Sequence, residues 1–275
     1  MDVFAAFIAP ALAGVFVGVM SGLLGVGGGT IMVPIFRLAF GMSPLASTAT
    51  SLFAIIPTSI SGVVAHARAK TCVPKLGLAL GVGGAVMSPL GVWLASVSPG
   101  WLVICVAAIV IGFSAFKMFK KAVKCAPAPC AGAASAHSAS QKPVPDQPHL
   151  SRKQYLQGAC IGLIAGLASG YVGVGGGFIM VPLMLAVLDI PMSLASGTSL
   201  IAIMILAIPG VIEQGLLGNI EYLAGIAIVV GSIPGALVGA RLVRLVPERQ
   251  LRFIFGGFLL VAAVMLMLNE FGILG

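Results

Sequence analysis

Residues 25–34 read Gly-Val-Gly-Gly-Gly-Thr-Ile-Met-Val-Pro, and residues 173–182 read Gly-Val-Gly-Gly-Gly-Phe-Ile-Met-Val-Pro. Only the sixth position differs. Four glycines in five residues cannot hold a stable helix interior, since each costs about 1 kcal/mol relative to Ala. The backbone must therefore leave helical geometry twice, each time inside an apolar run. The two copies lie 148 residues apart, and the same ungapped offset aligns Ser21-Gly22 with Ser169-Gly170 and Thr50-Ser51-Leu52 with Thr198-Ser199-Leu200. It also aligns Gly91 with Gly239 and Pro99 with Pro247. One offset holding across most of each half is the signature of internal duplication.

The surroundings of the motif fix the solvent. Hydrophobic residues make up 59% of the chain and charged ones 8%, against about a quarter charged in soluble domains. A chain this apolar cannot cover itself with polar surface, so the expected fold is an all-α polytopic membrane protein lying in a lipid bilayer. Ten apolar segments can be drawn, at 3–24, 30–41, 45–65, 75–96 and 101–119 in the first half and at 155–172, 178–188, 192–212, 222–244 and 250–268 in the second. The segments Thr30–Phe40 and Phe178–Leu188 would give only about 16 Å of helix at about 1.5 Å per residue, and the hydrocarbon core is about 30 Å thick. Each is therefore a broken or re-entrant element following a Gly-rich turn. Residues 120–153, rich in Ala, Ser and Pro, read as a flexible linker. The expected organisation is thus a first membrane repeat at 1–119, a cytoplasmic linker at 120–153 and a second repeat at 154–275.

Charge supplies orientation. The net charge of +8 is spread in short clusters between apolar runs. That is the positive-inside pattern and not a nucleic-acid face. His66, Arg68, Lys70 and Lys75 put the third-to-fourth loop inside, and Lys117, Lys120, Lys121 and Lys124 put the linker there too. Arg241, Arg244, Arg249 and Arg252 put the ninth-to-tenth turn inside, whereas the eighth-to-ninth loop carries Glu213 and Glu221 and faces out. Equivalent loops then face opposite sides, so the two five-segment repeats are expected to be inverted, with both termini outside. Inverted repeats are typical of secondary transporters, whose site lies where the repeats meet. The Met-Asp start lacks a basic n-region, so the first segment reads as a permanent one.

The candidate chemistry is the binding of an anion without basic side chains. A half-helix starting after a glycine turn presents unpaired N–H groups and about half a positive charge. The residues that could line such a site are Ser21, Gly25, Gly27, Gly28, Gly29 and Thr30 in the first half. In the second they are Ser169, Gly173, Gly175, Gly176 and Gly177. Thr50, Ser51, Thr198 and Ser199 add hydroxyls, which can donate to an anion or merely cap a helix. The competing reading of the glycines is close helix packing with a kink. Arg37 breaks the orientation rule by placing a positive charge on the outer side, and is either an anion-attracting residue or a snorkelling one. His66 reads as a solvated loop residue, and Glu213 with Gln214 as interfacial. No carboxylate lies mid-span to relay protons. Cys125, Cys130, His137 and His149 fit no zinc template, so neither metal nor cofactor is expected. No Ser/His, paired-carboxylate or metal constellation marks an enzyme.

The duplicated glycine motif, the Thr-Ser-Leu stretch after each copy and the two-half layout resemble the sulfite exporter TauE/SafE family, over nearly the whole chain apart from the linker. The resemblance implies a multi-pass transporter of the bacterial inner membrane that exports small sulfur-containing or organic anions such as sulfite, sulfoacetate or similar sulfonates. Its partners would be that small anion and the bilayer, with a homodimer compatible with the pattern. The alternative is a membrane-embedded accessory or assembly protein without transport activity.

Overall fold

In the computed structural model the chain is all-helical, with no strand among the described residues. The structure describes residues 9–99, 102, 105–106, 108–109, 111–116, 118, 152–172 and 175–270. The expected linker therefore lies outside the described residues, except for Arg152 and Lys153, which already belong to a helix. The described positions between 102 and 118 are helical, where the fifth segment was expected.

The helices are α1 Ala9–Leu24, α2 Gly29–Phe40, α3 Pro44–Arg68, α4 Pro74–Val97, α5 Arg152–Val172, α6 Gly177–Leu183, α7 Met192–Leu216, α8 Tyr222–Leu242 and α9 Glu248–Glu270. Of these, α3, α4, α5, α7 and α8 are long and apolar enough to cross a membrane. Both α3 and α4 begin on proline, whose fixed φ and missing N–H suit the first helical turn. A π-helical turn, Met184–Leu188, continues α6. Pro182 inside α6 removes one i→i−4 donor, which accounts for the loosened winding beyond it.

Several boundaries differ from expectation by a few residues, two of them at helix C-termini by three or four. The segments drawn as 45–65 and 192–212 run on to Arg68 and Leu216. Hydropathy fades in the last turn of α3 because His66 and Arg68 are polar, yet a cation such as Arg68 at a helix C-terminus favours the helix dipole.

Large apolar side chains such as Leu12, Phe16, Val86, Trp93, Ile164 and Val230 point outward, as a lipid solvent requires. The interior is held by interleaved halves: α1 packs along α8, α5 along α4, and α3 along α7. The α1–α8 and α4–α5 contacts rest on glycine at every fourth position. A Cβ on Gly14, Gly18 or Gly22 of α1 would lie 2.2–2.3 Å from a backbone oxygen of α8, and one on Gly162, Gly166 or Gly170 of α5 would lie 2.1–2.2 Å from a backbone oxygen of α4. Helices meet this closely only where side chains are absent.

Hydrogen bonds fix direction. Near the start of α3, Thr50 Oγ1 accepts from Glu221 N, just before α8. Near the start of α7, Thr198 Oγ1 accepts from Val73 N, just before α4. Helices α3 and α7 therefore run antiparallel, and the loops that follow them lie at opposite ends. Arg244 lies within electrostatic range of His66, and Glu248 reaches Met192 N. One end thus gathers Arg68, Lys70, Lys75, Arg244 and Arg252, and the other Glu213, Asn219 and Glu221.

Candidate functional site

The two glycine turns come together at the centre of this arrangement. Gly25, Gly27 and Gly28 have φ of 71°, 80° and 85°, and Gly175 and Gly176 have 88° and 69°. That left-handed region is open to glycine and strained for other residues, which is why the motif needs glycine at these positions. Gly173 lies outside the described residues. Each turn reverses the chain: a Cβ on Gly28 would sit 2.9 Å from Val17 of α1, and one on Gly176 would sit 3.0 Å from the Ala165 carbonyl of α5. The turns thus set the start of α2 beside Val17 of α1 and the start of α6 beside Ala165 of α5, and from there α2 packs on α3 and α6 on α7 and α5. The turns also touch each other, since a Cβ on Gly177 would lie 2.7 Å from Gly25 O. Ile55 and Ile203, equivalent residues of α3 and α7, close against both Gly27 and Gly175.

Around these turns the hydroxyls divide by partner. Ser199 Oγ lies 2.6 Å from Gly25 O and 2.8 Å from Ser196 O, so it ties α7 to the first turn. Ser51 Oγ donates to Thr48 O at 2.9 Å. Thr50 and Thr198 accept the backbone N–H groups that open α8 and α4, at 3.0 Å each. Both are caps, made between halves.

Ser21, Thr30 and Ser169 differ from these. All three are buried, and their side-chain oxygens have no hydrogen-bond partner. Ser21 and Ser169 are equivalent residues, and their Cβ atoms lie 3.6 Å and 3.2 Å from where a Cβ on Gly28 and Gly176 would stand. Gly29 and Thr30 open α2, and their amides precede its first hydrogen bonds, from Ile31 N and Met32 N to Gly28 O at 3.0 Å each. Gly28 itself offers no side-chain cap. Thr30 also borders an apolar groove of about 550 Å³ beside Phe16, Pro34 and Phe258. Arg37, half-buried in the last turn of α2, stands apart at the far end of that helix.

His66 is a correction to the sequence reading. It is not a solvated loop residue but fully buried inside α3. Its Nε2 lies 2.9 Å from Gly22 O, and its Nδ1 lies 2.7 Å from Thr71 Oγ1. Gln214, expected at the interface, is also buried and accepts from Asn219 Nδ2 at 2.8 Å. The signal for both was available in the offset that pairs His66 with Gln214 and Thr71 with Asn219. Among the described residues no group of His, Cys, Asp and Glu side chains could hold a metal ion.

A family profile described as sulfite exporter TauE/SafE matches residues 10–266. Three relatives from Bacillus subtilis (strain 168) are named probable membrane transporter proteins. YdhB is 28% identical, with 86% of this chain and 89% of its own covered. YunE is 25% identical over the same shares, and YjnA is 24% identical over 93% of this chain and 97% of its own. No solved structure matches the chain.

Proposed function

The chain belongs to the sulfite exporter TauE/SafE family, and from that membership we propose that this multi-pass membrane transporter exports small sulfur-containing or organic anions, such as sulfite and sulfonates, across the bacterial inner membrane. The observation that carries the site is the pair Ser21 and Ser169, buried without partners beside glycine turns that touch. A buried hydroxyl left unsatisfied costs about 1–3 kcal/mol. An anion between the turns would accept from Ser21, Thr30 and Ser169 and from the amides of Gly29 and Thr30, removing that cost. The donors are neutral, so the anion meets no fixed countercharge that would trap it. The side chains of Ile55 and Ile203 fill the approach between the turns, so entry requires them to move. The antiparallel run of α3 and α7 supports inverted repeats, 1–119 and 154–275, rocking about this point.

Purified protein in liposomes loaded with radiolabelled sulfite tests the reading. Export by the wild type is expected, and its absence for sulfite and sulfonates alike would favour the accessory-protein alternative. Ser21→Ala and Ser169→Ala should each raise KM by about tenfold or more, since a hydrogen bond to a charged group contributes about 1.5–3 kcal/mol. Kinetics unchanged in the double variant would remove the site.

A further inference from the structure

We propose that His66 is a positioning residue for the first glycine turn, and that it acts in its neutral form. Helix α1 ends at Leu24, so Gly22 O is among the last four carbonyls, which have no intrahelical donor. His66 Nε2 stands 2.9 Å from that buried oxygen. A carbonyl only accepts, so Nε2 carries a proton, and in the neutral ring Nδ1 then accepts from the Thr71 hydroxyl at 2.7 Å. Thr71 is in turn fixed by its own N–H, which donates to His66 O at 3.0 Å. A Cβ on Gly197 of α7 would lie 2.9 Å from Nδ1. The ring therefore sits where α1, α3 and α7 converge, three residues before the turn begins at Gly25.

The second half shows what this place requires. Its equivalent pair is Gln214 and Asn219, joined by a side-chain bond at 2.8 Å and a backbone bond at 3.1 Å. Lys70 and Gly218, also equivalent, both adopt positive φ, 54° and 71°. A neutral amide thus occupies at one end the position that an imidazole occupies at the other. The imidazole differs chiefly in being able to take up a proton near neutral pH. The charged group of another element that acts on it is Arg244, and Arg68 and Lys70 follow it on its own strand of chain. Protonation would place a buried cation among these positive groups. It would also force Thr71 Oγ1 to become an acceptor, with its own proton turned to His66 O at 3.3 Å.

The flux readout rests on the transport reading above; the structural readouts do not. In liposomes with equal pH on both sides, sulfite export by His66→Gln should stay within about threefold of wild type at about pH 8. His66→Leu should lose about tenfold or more, because Gly22 O loses its donor. Wild-type export should fall on acidification to about pH 5.5, and His66→Gln export should not. In detergent without any substrate, 15N NMR should show the Nε2–H tautomer, and His66→Leu should lower Tm more than His66→Gln. An Nδ1–H tautomer, a glutamine variant as impaired as the leucine one, or a wild-type pH profile as flat as that of the glutamine variant overturns the proposal. If sulfite does not move at all, the tautomer and Tm results still decide it.

Discussion

Thr50 and Thr198 each hold an N–H group in the other half, and both bonds measure 3.0 Å. Val73 N is buried, so Thr198→Val, which keeps the shape and removes the acceptor, should leave a donor unsatisfied. The expected cost is about 1–3 kcal/mol. Thr50→Val should cost less, because Glu221 N sits at an exposed helix start. Thermal unfolding of the purified variants in detergent measures the order; equal and negligible losses would show that these bonds are ornamental. The sequence marked these hydroxyls as a repeated pair but left capping and binding equally open. The reason is physical: the bonded partners are 125 and 171 residues away, beyond any spacing rule along one helix. His66 escaped for a related reason. Its polarity ended the hydropathy run just where the helix continued, so burial by a distant carbonyl was invisible locally.

Pairs of helices are governed by glycine spacing. Gly14, Gly18 and Gly22 recur at every fourth residue, as do Gly162, Gly166 and Gly170, and Gly231, Gly235 and Gly239. The period was readable, but only the structure assigns it to the α1–α8 and α4–α5 contacts, because period four marks a face and not its partner. Gly18→Ala would put a Cβ 2.2 Å from Ser232 O, whereas Gly257 in α9 has nothing within 4 Å. Gly18→Ala should therefore push α1 from α8 and cost about 1–3 kcal/mol or more. Gly257→Ala should stabilise by about 0.5–1 kcal/mol through helix propensity alone. Tm values that rank the two the other way would reject glycine packing as what holds these helices together. The short elements were legible because four glycines cannot continue a helix. That the turns bring the chain back beside Val17 of α1 and Ala165 of α5 was not, since the sense of the reversal depends on positive φ at Gly25, Gly27 and Gly28 and at Gly175 and Gly176.

For the molecule as a carrier, the site's lack of charge bears on its energy source. The described acidic residues Asp189, Glu213, Glu221, Glu248 and Glu270 lie in loops or in terminal helical turns, so none of them stands mid-span to carry a coupling proton. His66 holds its proton on a structural carbonyl, which makes it sensitive to pH without making it a relay. The simplest mechanism is then voltage-driven exit of the anion. A cell interior negative by about 100 mV favours exit of each negative charge by about 2.3 kcal/mol, and at about 1.4 kcal/mol per tenfold this sustains a gradient of about fortyfold without a coupling ion. The competing mechanism is proton or sodium coupling through carbonyls freed at the broken helices. Liposomes holding a potassium–valinomycin potential at equal pH, with no sodium gradient, separate the two. Labelled sulfite should leave faster as the interior is made more negative, and reversing the potential should slow it. Flux that ignores voltage yet follows a pH jump imposed across the membrane would mean that a proton crosses with the anion. Because symmetric acidification acts on His66 and a pH gradient acts on coupling, running both conditions on His66→Gln isolates the second effect. A gradient response that survives in that variant would refute the uniport.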